Sequence, residues 1–309
     1  MFMSRLFQRK NTGFKWPDLK HVCLFSVFIC LSAIKAEGQQ RPPTNEHLGD
    51  VFNSEKFLLG KGVIRGDMGY FYNNIAFQDA SGELFNYHRH AIRTNVNFVL
   101  WRQLEWRNTL FFDLAPSPAS PPWISNYFYQ LGWYDWRPNT FSYGYENYLP
   151  NSWENMRENF LTNLKRGHFF LRFNTLLSKE NTNIGKPFFW DESSRLSIVP
   201  GARFHFEYQG NFFNELGGYY KPIGELTLRY TIYKHIYVES TLFYYPIIEQ
   251  RLVWEPDFTY GFGIANWRAF KLNLTYGNWI ANRFPWSEQT MDFYGFANGE
   301  WYIGLTYSW

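Results

Sequence analysis

The sequence predicts an all-β protein, an antiparallel transmembrane β-barrel of about 12 strands. An alternative count gives 14, and a pseudo-twofold repeat of six strands runs through the chain. Three observations lead there. In the last ten residues, Trp301, Ile303, Leu305, Tyr307 and Trp309 fall on one face and Glu300, Tyr302, Gly304, Thr306 and Ser308 on the other. Alternation at period two is a strand signature, and ten residues is about the length of a tilted strand that crosses a bilayer. Aromatic residues make up 22% of the chain, yet its mean hydropathy is only −0.40. That combination arises when outward side chains are apolar and inward ones polar. Finally, short and long connections alternate along the chain, as hairpins at the two ends of a barrel would.

The elements follow in order. Arg5, Arg9, Lys10, Lys15 and Lys20 precede a thirteen-residue apolar run, Val22 to Ile34, too short for a comfortable membrane span. Ala36-Glu37-Gly38 is a small-x-small cleavage site, so residues 1–38 read as a signal peptide. Its removal takes both cysteines, Cys23 and Cys30, and with them disulfides and thiol catalysis. It also takes six of the 30 basic and two of the 27 acidic residues, leaving 24 against 25. No basic field for nucleic acid remains. Residues 39–60 are polar and read as a periplasmic leader. The barrel spans 61–309, with candidate strands at 63–73, 91–102, 105–114, 126–135, 140–148, 168–177, 195–208, 224–233, 236–246, 257–265, 269–278 and 300–309. Splitting 153–177 and 195–220 into further hairpins gives the 14-strand alternative.

The connections then sort by side. Gln103-Leu104, Trp136-Arg137-Pro138, Lys234-His235 and Asn266-Trp267-Arg268 are short and share one side. Segments 74–90, 115–125, 149–167, 209–223, 247–256 and 279–299 are long and share the other. Only 178–194 is long on the short side. Within 149–167, Asn151 with Glu154 could cap a short amphipathic helix, and a hairpin extension is the equal alternative. With the signal peptide, the alternation, the loop asymmetry and the terminal aromatic Trp309, the chain resembles bacterial outer-membrane β-barrel proteins. The resemblance implies a Gram-negative outer-membrane location, contact with outer-membrane lipid, and engagement of the barrel-assembly machinery through Trp309.

A repeat accounts for the long joint. Residues 123–153 match 254–284 at an offset of 131 without a gap, through Trp123/Trp254, Tyr129/Tyr260, Gly132/Gly263, Trp136/Trp267, Arg137/Arg268, Tyr145/Tyr276, Asn147/Asn278 and Asn151/Asn282. Residues 63–177 and 195–309 then form two halves joined by 178–194. Convergence of two aromatic hairpins is the alternative.

Facing follows from the pleat. Phe98, Leu110, Phe141, Phe169, Leu171, Phe204, Leu228, Val238 and Leu272 point outward with their period-two neighbours. Arg93, Arg107, Glu146, Arg172, Arg203, Glu207, Glu225, Arg229, Glu239 and Lys271 point inward as candidate pore-lining residues. On the lipid face a midplane Arg or Lys costs roughly 2–4 kcal/mol, which leaves the interior for them. A mixed-sign interior reads either as a selective path or as a salt-bridged plug.

Motifs for other chemistry are weak. Outer-membrane phospholipases of twelve strands resemble the chain in size, but their His-x-Ser pair has no match. Phe170 follows His168 at that spacing, Glu207 follows His205 and Tyr237 follows His235. His88 and His90 could share one face, but two imidazoles without a further ligand are a poor metal signal. No cofactor or metal is expected. The expectation is a porin-like channel that passes or binds a small polar solute. The alternatives are a non-conducting accessory barrel of a larger complex and a lipid-modifying enzyme.

Overall fold

The computed structural model describes residues 64–78, 84–115, 125–135, 137–148, 167–178, 193–209, 216–251, 255–266, 270–279, 282–287, 292–293 and 295–308. The signal peptide, the leader, the 149–166 segment, Trp136, Trp267, Arg268 and Trp309 lie outside that set.

The strands are β1 Ile64–Gln78, β2 Leu84–Trp101, β3 Leu104–Asp113, β4 Tyr127–Trp133, β5 Thr140–Asn147, β6 His168–Ser178, β7 Arg195–Gln209, β8 Leu216–Tyr233, β9 Ile236–Tyr244, β10 Phe258–Ile264, β11 Leu272–Asn278, β12 Asp292–Phe293 and β13 Gly299–Ser308. Each long strand pairs antiparallel with its sequence neighbour, and β1 pairs with both β2 and β13. The sheet is therefore closed, with twelve long staves. The two-residue β12 pairs with the far end of β1, beyond β13, through Phe77↔Phe293 and Gln78↔Asp292. Closure satisfies the backbone without an edge, the condition for a sheet in lipid. The fold is a closed antiparallel barrel, and the 12-strand count holds over 14.

Two predicted loops are mostly strand. β1 runs to Gln78 and β2 starts at Leu84, where a loop over 74–90 was expected. β7 and β8 likewise take most of 209–223. Polar side chains such as Asn73, Asn74, His88 and Arg89 carry no alternation of hydropathy, but the ladder continues through them. His88 and His90 face outward on β2 and hydrogen-bond Tyr72 at 3.1 Å and Tyr70 at 2.5 Å.

The outer surface exposes a belt of large apolar side chains, among them Phe141, Phe169, Leu171, Leu272, Leu274, Ile303 and Leu305. So large a contiguous apolar surface marks contact with something other than water. The predicted outward residues Phe204, Phe206, Leu228 and Val238 also stand on it.

The repeat extends through the whole barrel. Strands β1 to β6 have 15, 18, 10, 7, 8 and 11 residues; their counterparts β7 to β11 and β13 have 15, 18, 9, 7, 7 and 10. Each counterpart starts 131 or 132 residues later, from 64 and 195 to 168 and 299. The turns share their hydrogen bonds. The Asp135 N–H donates to Ser142 Oγ at 2.9 Å, and the Asn266 N–H donates to Asn273 Oδ1 at 2.6 Å. The Asn139 N–H donates to the Asn174 carbonyl, and the Phe270 N–H to the Thr306 carbonyl, both at 2.7 Å. Asn139 and Phe270 have φ of 60° and 59°, and the paired turn residues Arg102 and Lys234 have 50° and 48°. Asn147 Nδ2 donates to the Tyr129 hydroxyl at 3.0 Å, and Asn278 Nδ2 to Tyr260 at 3.2 Å. These two asparagines are the matched pair that the sequence singled out. The β4–β5 and β10–β11 turns lie at the same end of the barrel, six staves apart in a ring of twelve, on opposite walls.

One turn carries its own ion pair. Arg137 Nη2 lies 2.6 Å from Asp135 Oδ2. Burial of Asp135 works against its ionised form, but hydrogen bonds from Arg137 outweigh it and hold the carboxyl below its ordinary value.

Candidate functional site: the barrel interior

Strand parity brings the inward charges into contact. Arg172 on β6 is the centre of one network. Its Nη1 and Nη2 donate to both oxygens of Glu146 on β5 at 2.8 and 2.9 Å, and its Nε donates to Glu225 on β8 at 2.5 Å. Arg203 on β7 donates to the other Glu225 oxygen at 2.6 Å. His168 on β6 lies 3.2 Å from Glu146 and packs against His205 with ring centroids 4.6 Å apart, the rings tilted by 35°. Gly201 on β7 makes room for this: a Cβ there would meet Arg172 Cγ at 2.9 Å and Glu225 Oε1 at 3.0 Å.

A second network lies near the turn end. Glu105 accepts from Arg107 at 2.7 Å and pairs with Arg65 at 3.5 Å. The Arg107 guanidinium lies 3.5 Å from the centre of the Tyr134 ring. A third joins β1, β2 and β13. Asp67 accepts from Asn95 at 2.8 and 3.0 Å and from the Tyr302 hydroxyl, and Arg93 Nη2 stands 3.9 Å away. Arg229 and Glu239 pair at 3.7 Å across β8 and β9.

Of the ten predicted residues, Arg93, Arg107, Glu146, Arg172, Arg203, Glu225, Arg229 and Glu239 lie in these networks. Glu207 lies on β7 opposite Tyr219, its side chain outside the described set. Lys271 falls in the turn before β11 and is exposed at the rim. The prediction missed Glu105, Arg89, Lys221 and Glu255. For Glu105 the signal was present, since it shares a strand face with Arg107.

Within each pair the two signs are not equally accessible. In the pairs of Asp67, Glu105, Glu146 and Glu225 the carboxylates are 1–4% exposed, while their guanidiniums are 14–24% exposed. Carboxylates sit against the wall and guanidiniums front the interior. Towards the loop end the order reverses. Arg89 and Lys221 are 5% and 1% exposed, and their partners Asp113 and Glu255 are 21% and 16% exposed. A further pair there, Arg251 with Asp257, is 12% and 7% exposed.

The two halves differ in how the interior is filled. Counting along the repeat, Glu146 corresponds to Gly277 and Arg172 to Gly304. Where the first half holds the Arg172–Glu146 pair, the second has glycines. There a cavity of about 110 Å³ opens, lined by Arg93, Tyr237, Thr275, Trp279, Glu300 and Tyr302, with Gly277 and Tyr276 also on its wall. At Gly277 a Cβ would meet the Trp279 ring at 2.4 Å, so glycine is what lets the indole fold there.

Comparison with known proteins returns low-identity barrels. An outer-membrane channel from Pseudomonas putida F1 aligns at 10% identity and a TM-score of 0.37, covering 88% of this chain and 100% of that one. Two mutant forms of the Rhodopseudomonas blastica porin align at 9% identity with TM-scores of 0.29 and 0.26, covering 80% of this chain and 100% of theirs. No family model and no curated protein matches the chain. The closed sheet itself carries the fold assignment.

Proposed function

We propose that the protein is a narrow outer-membrane channel for small polar solutes, with a preference for anions in its middle section. The observation that carries this reading is the order within the ion pairs. Four wall-side carboxylates are nearly inaccessible while their guanidiniums face the interior. Fixed charges on the lumen side of a low-dielectric wall set the potential that a passing ion meets. The exposed Asp113 and Glu255 towards the loop end would temper that preference at the mouth.

The test is a planar-bilayer reversal potential in a tenfold KCl gradient. The expected sign is that of chloride preference. Cation preference of the open barrel would refute the reading. A second reading is a non-conducting accessory barrel, favoured by the tight Glu146–Arg172–Glu225 packing across one wall. A wild type that inserts but stays silent selects it.

A further inference from the structure

We propose that the cavity bounded by Arg93 and Glu300 is a binding site for a compact zwitterion of the α-amino-acid class. The site deepens the channel reading, since the ligand would arrive through the lumen, but binding is measurable without conduction.

The first half shows what this space holds. Counting along the repeat, the cavity residues Tyr237, Thr275, Gly277, Glu300 and Tyr302 correspond to Glu105, Gly144, Glu146, His168 and Phe170, and Arg93 corresponds to Glu225. The corresponding region is filled by the Arg172 guanidinium, clamped by Glu146 on β5 and by Glu225 on β8, across the seam between the halves. In the second half Gly304 stands where Arg172 does, the Tyr302 phenol folds over it, and no guanidinium enters the region beyond, where the cavity lies. A volume of about 110 Å³ is room for roughly four waters, or a solute of about four to six heavy atoms.

The charges left on the wall define the complement. The nearest carboxylate to Arg93 is Asp67 at 3.9 Å, and Asp67 already accepts from Asn95 and Tyr302. Arg93 Nε has no hydrogen-bond partner among the described residues. Glu300 makes no direct ion pair among the described residues; the Trp279 indole hydrogen-bonds it, and Arg93 and Arg89 act on it through space. Arg93 and Glu300 stand two strands apart, and their opposites on β1 are Gly69 and Asn73. Their backbones are therefore about 16 Å apart, and no ion pair joins them directly. A carboxylate fits the guanidinium fork of Arg93, and an ammonium fits Glu300 beside an indole face. A solute carrying both groups meets both wall charges and adds no net charge, whereas a simple ion brings a net charge into a confined site. Tyr237 and Thr275 add hydroxyls for the remaining polar atoms.

The experiment is isothermal titration of the full chain, folded in detergent, with glycine, acetate and ethylammonium. Saturable glycine binding is expected, with acetate and ethylammonium at least tenfold weaker. Glu300→Gln should weaken glycine at least tenfold and leave acetate unchanged. Thr275→Met fills the cavity without touching either charge and should abolish glycine binding, which decides the matter if Glu300→Gln does not fold. Absence of saturable glycine binding, acetate binding as tight as glycine, or undiminished binding in folded Thr275→Met overturns the proposal. Anion-selective current without glycine binding removes the site and keeps the channel; glycine binding in a silent barrel keeps the site and removes the channel.

Discussion

The first six staves and the last six are built on one plan but lined differently. Their turns keep the same hydrogen bonds and the same left-handed residues, from Asn139 and Phe270 to Arg102 and Lys234. Their interiors do not correspond. Glu146 and Arg172 form an ion pair in the first half, while Gly277 and Gly304 at the matching positions lie under the Trp279 and Tyr302 rings, beside a cavity. The comparison separates what the fold demands from what the interior is free to vary. A turn must satisfy its backbone in either half, because an unpaired buried N–H is costly. A side chain that projects into the interior answers only to its neighbours there, so an ion pair and a pair of glycines are both compatible with the same staves.

The largest effect should come from unmaking the filled half. Arg172→Ala strands Glu146 and Glu225 in a packed wall and should cost about 3–5 kcal/mol. Arg93→Ala, on β2 beside the cavity, leaves Asp67 with its bonds from Asn95 and Tyr302, and should cost less, about 1–3 kcal/mol. Urea unfolding of both variants in the same detergent measures the contrast. Equal losses would erase the distinction between the packed ion-pair network and the cavity wall.

A smaller effect lies in the turns. Phe270 holds φ of 59° while exposed, and a non-glycine residue in that region is strained by roughly 1–2 kcal/mol, which asparagine relieves in part. Phe270→Asn copies its counterpart Asn139 and should raise stability by about 0.5–1 kcal/mol. Asn139→Phe should lower it by a similar amount. Unfolding midpoints of the two variants check the symmetry of the plan, and a loss in Phe270→Asn would deny it.

The smallest effect is at Asp135, which pairs with a half-exposed Arg137. Its carboxyl is held below its ordinary value, so its contribution is present above about pH 4 and is lost as pH falls through the depressed folded value. Asp135→Asn should therefore cost about 0–1 kcal/mol at neutral pH and nothing once wild type is protonated. Unfolding curves from pH 7 down to pH 3 check this, and an Asp135→Asn deficit that does not shrink as pH falls would contradict it.

Much of this architecture was legible in the residues. Lipid on one side and a polar interior on the other force alternation, so Trp301, Ile303 and Leu305 gave away the last strand and Arg172 and Glu225 their inward facing. The staves that continue past Asn73 and through His88, Arg89 and His90 were hidden, because pairing there does not follow an apolar face. The ion pairs were hidden for a different reason. Arg172 meets Glu225, 53 residues away, only once strand register is fixed, and alternation gives facing without register. The cavity was half visible. The repeat was read from its aromatic and turn matches, and one mismatch inside it, Glu146 against Gly277, falls on the cavity wall.

The contrast between a filled and an open half is tested most directly by thiol reactivity. With Cys23 and Cys30 replaced by serine, single cysteines are introduced by Thr275→Cys, in the cavity wall on β11, and by Ser142→Cys, a buried inward position on β5. Both changes are near-isosteric. Labelling of the folded barrel with a small charged methanethiosulfonate should modify Thr275→Cys at least tenfold faster than Ser142→Cys. Equal rates, or an inert Thr275→Cys beside a reactive Ser142→Cys, would contradict the account.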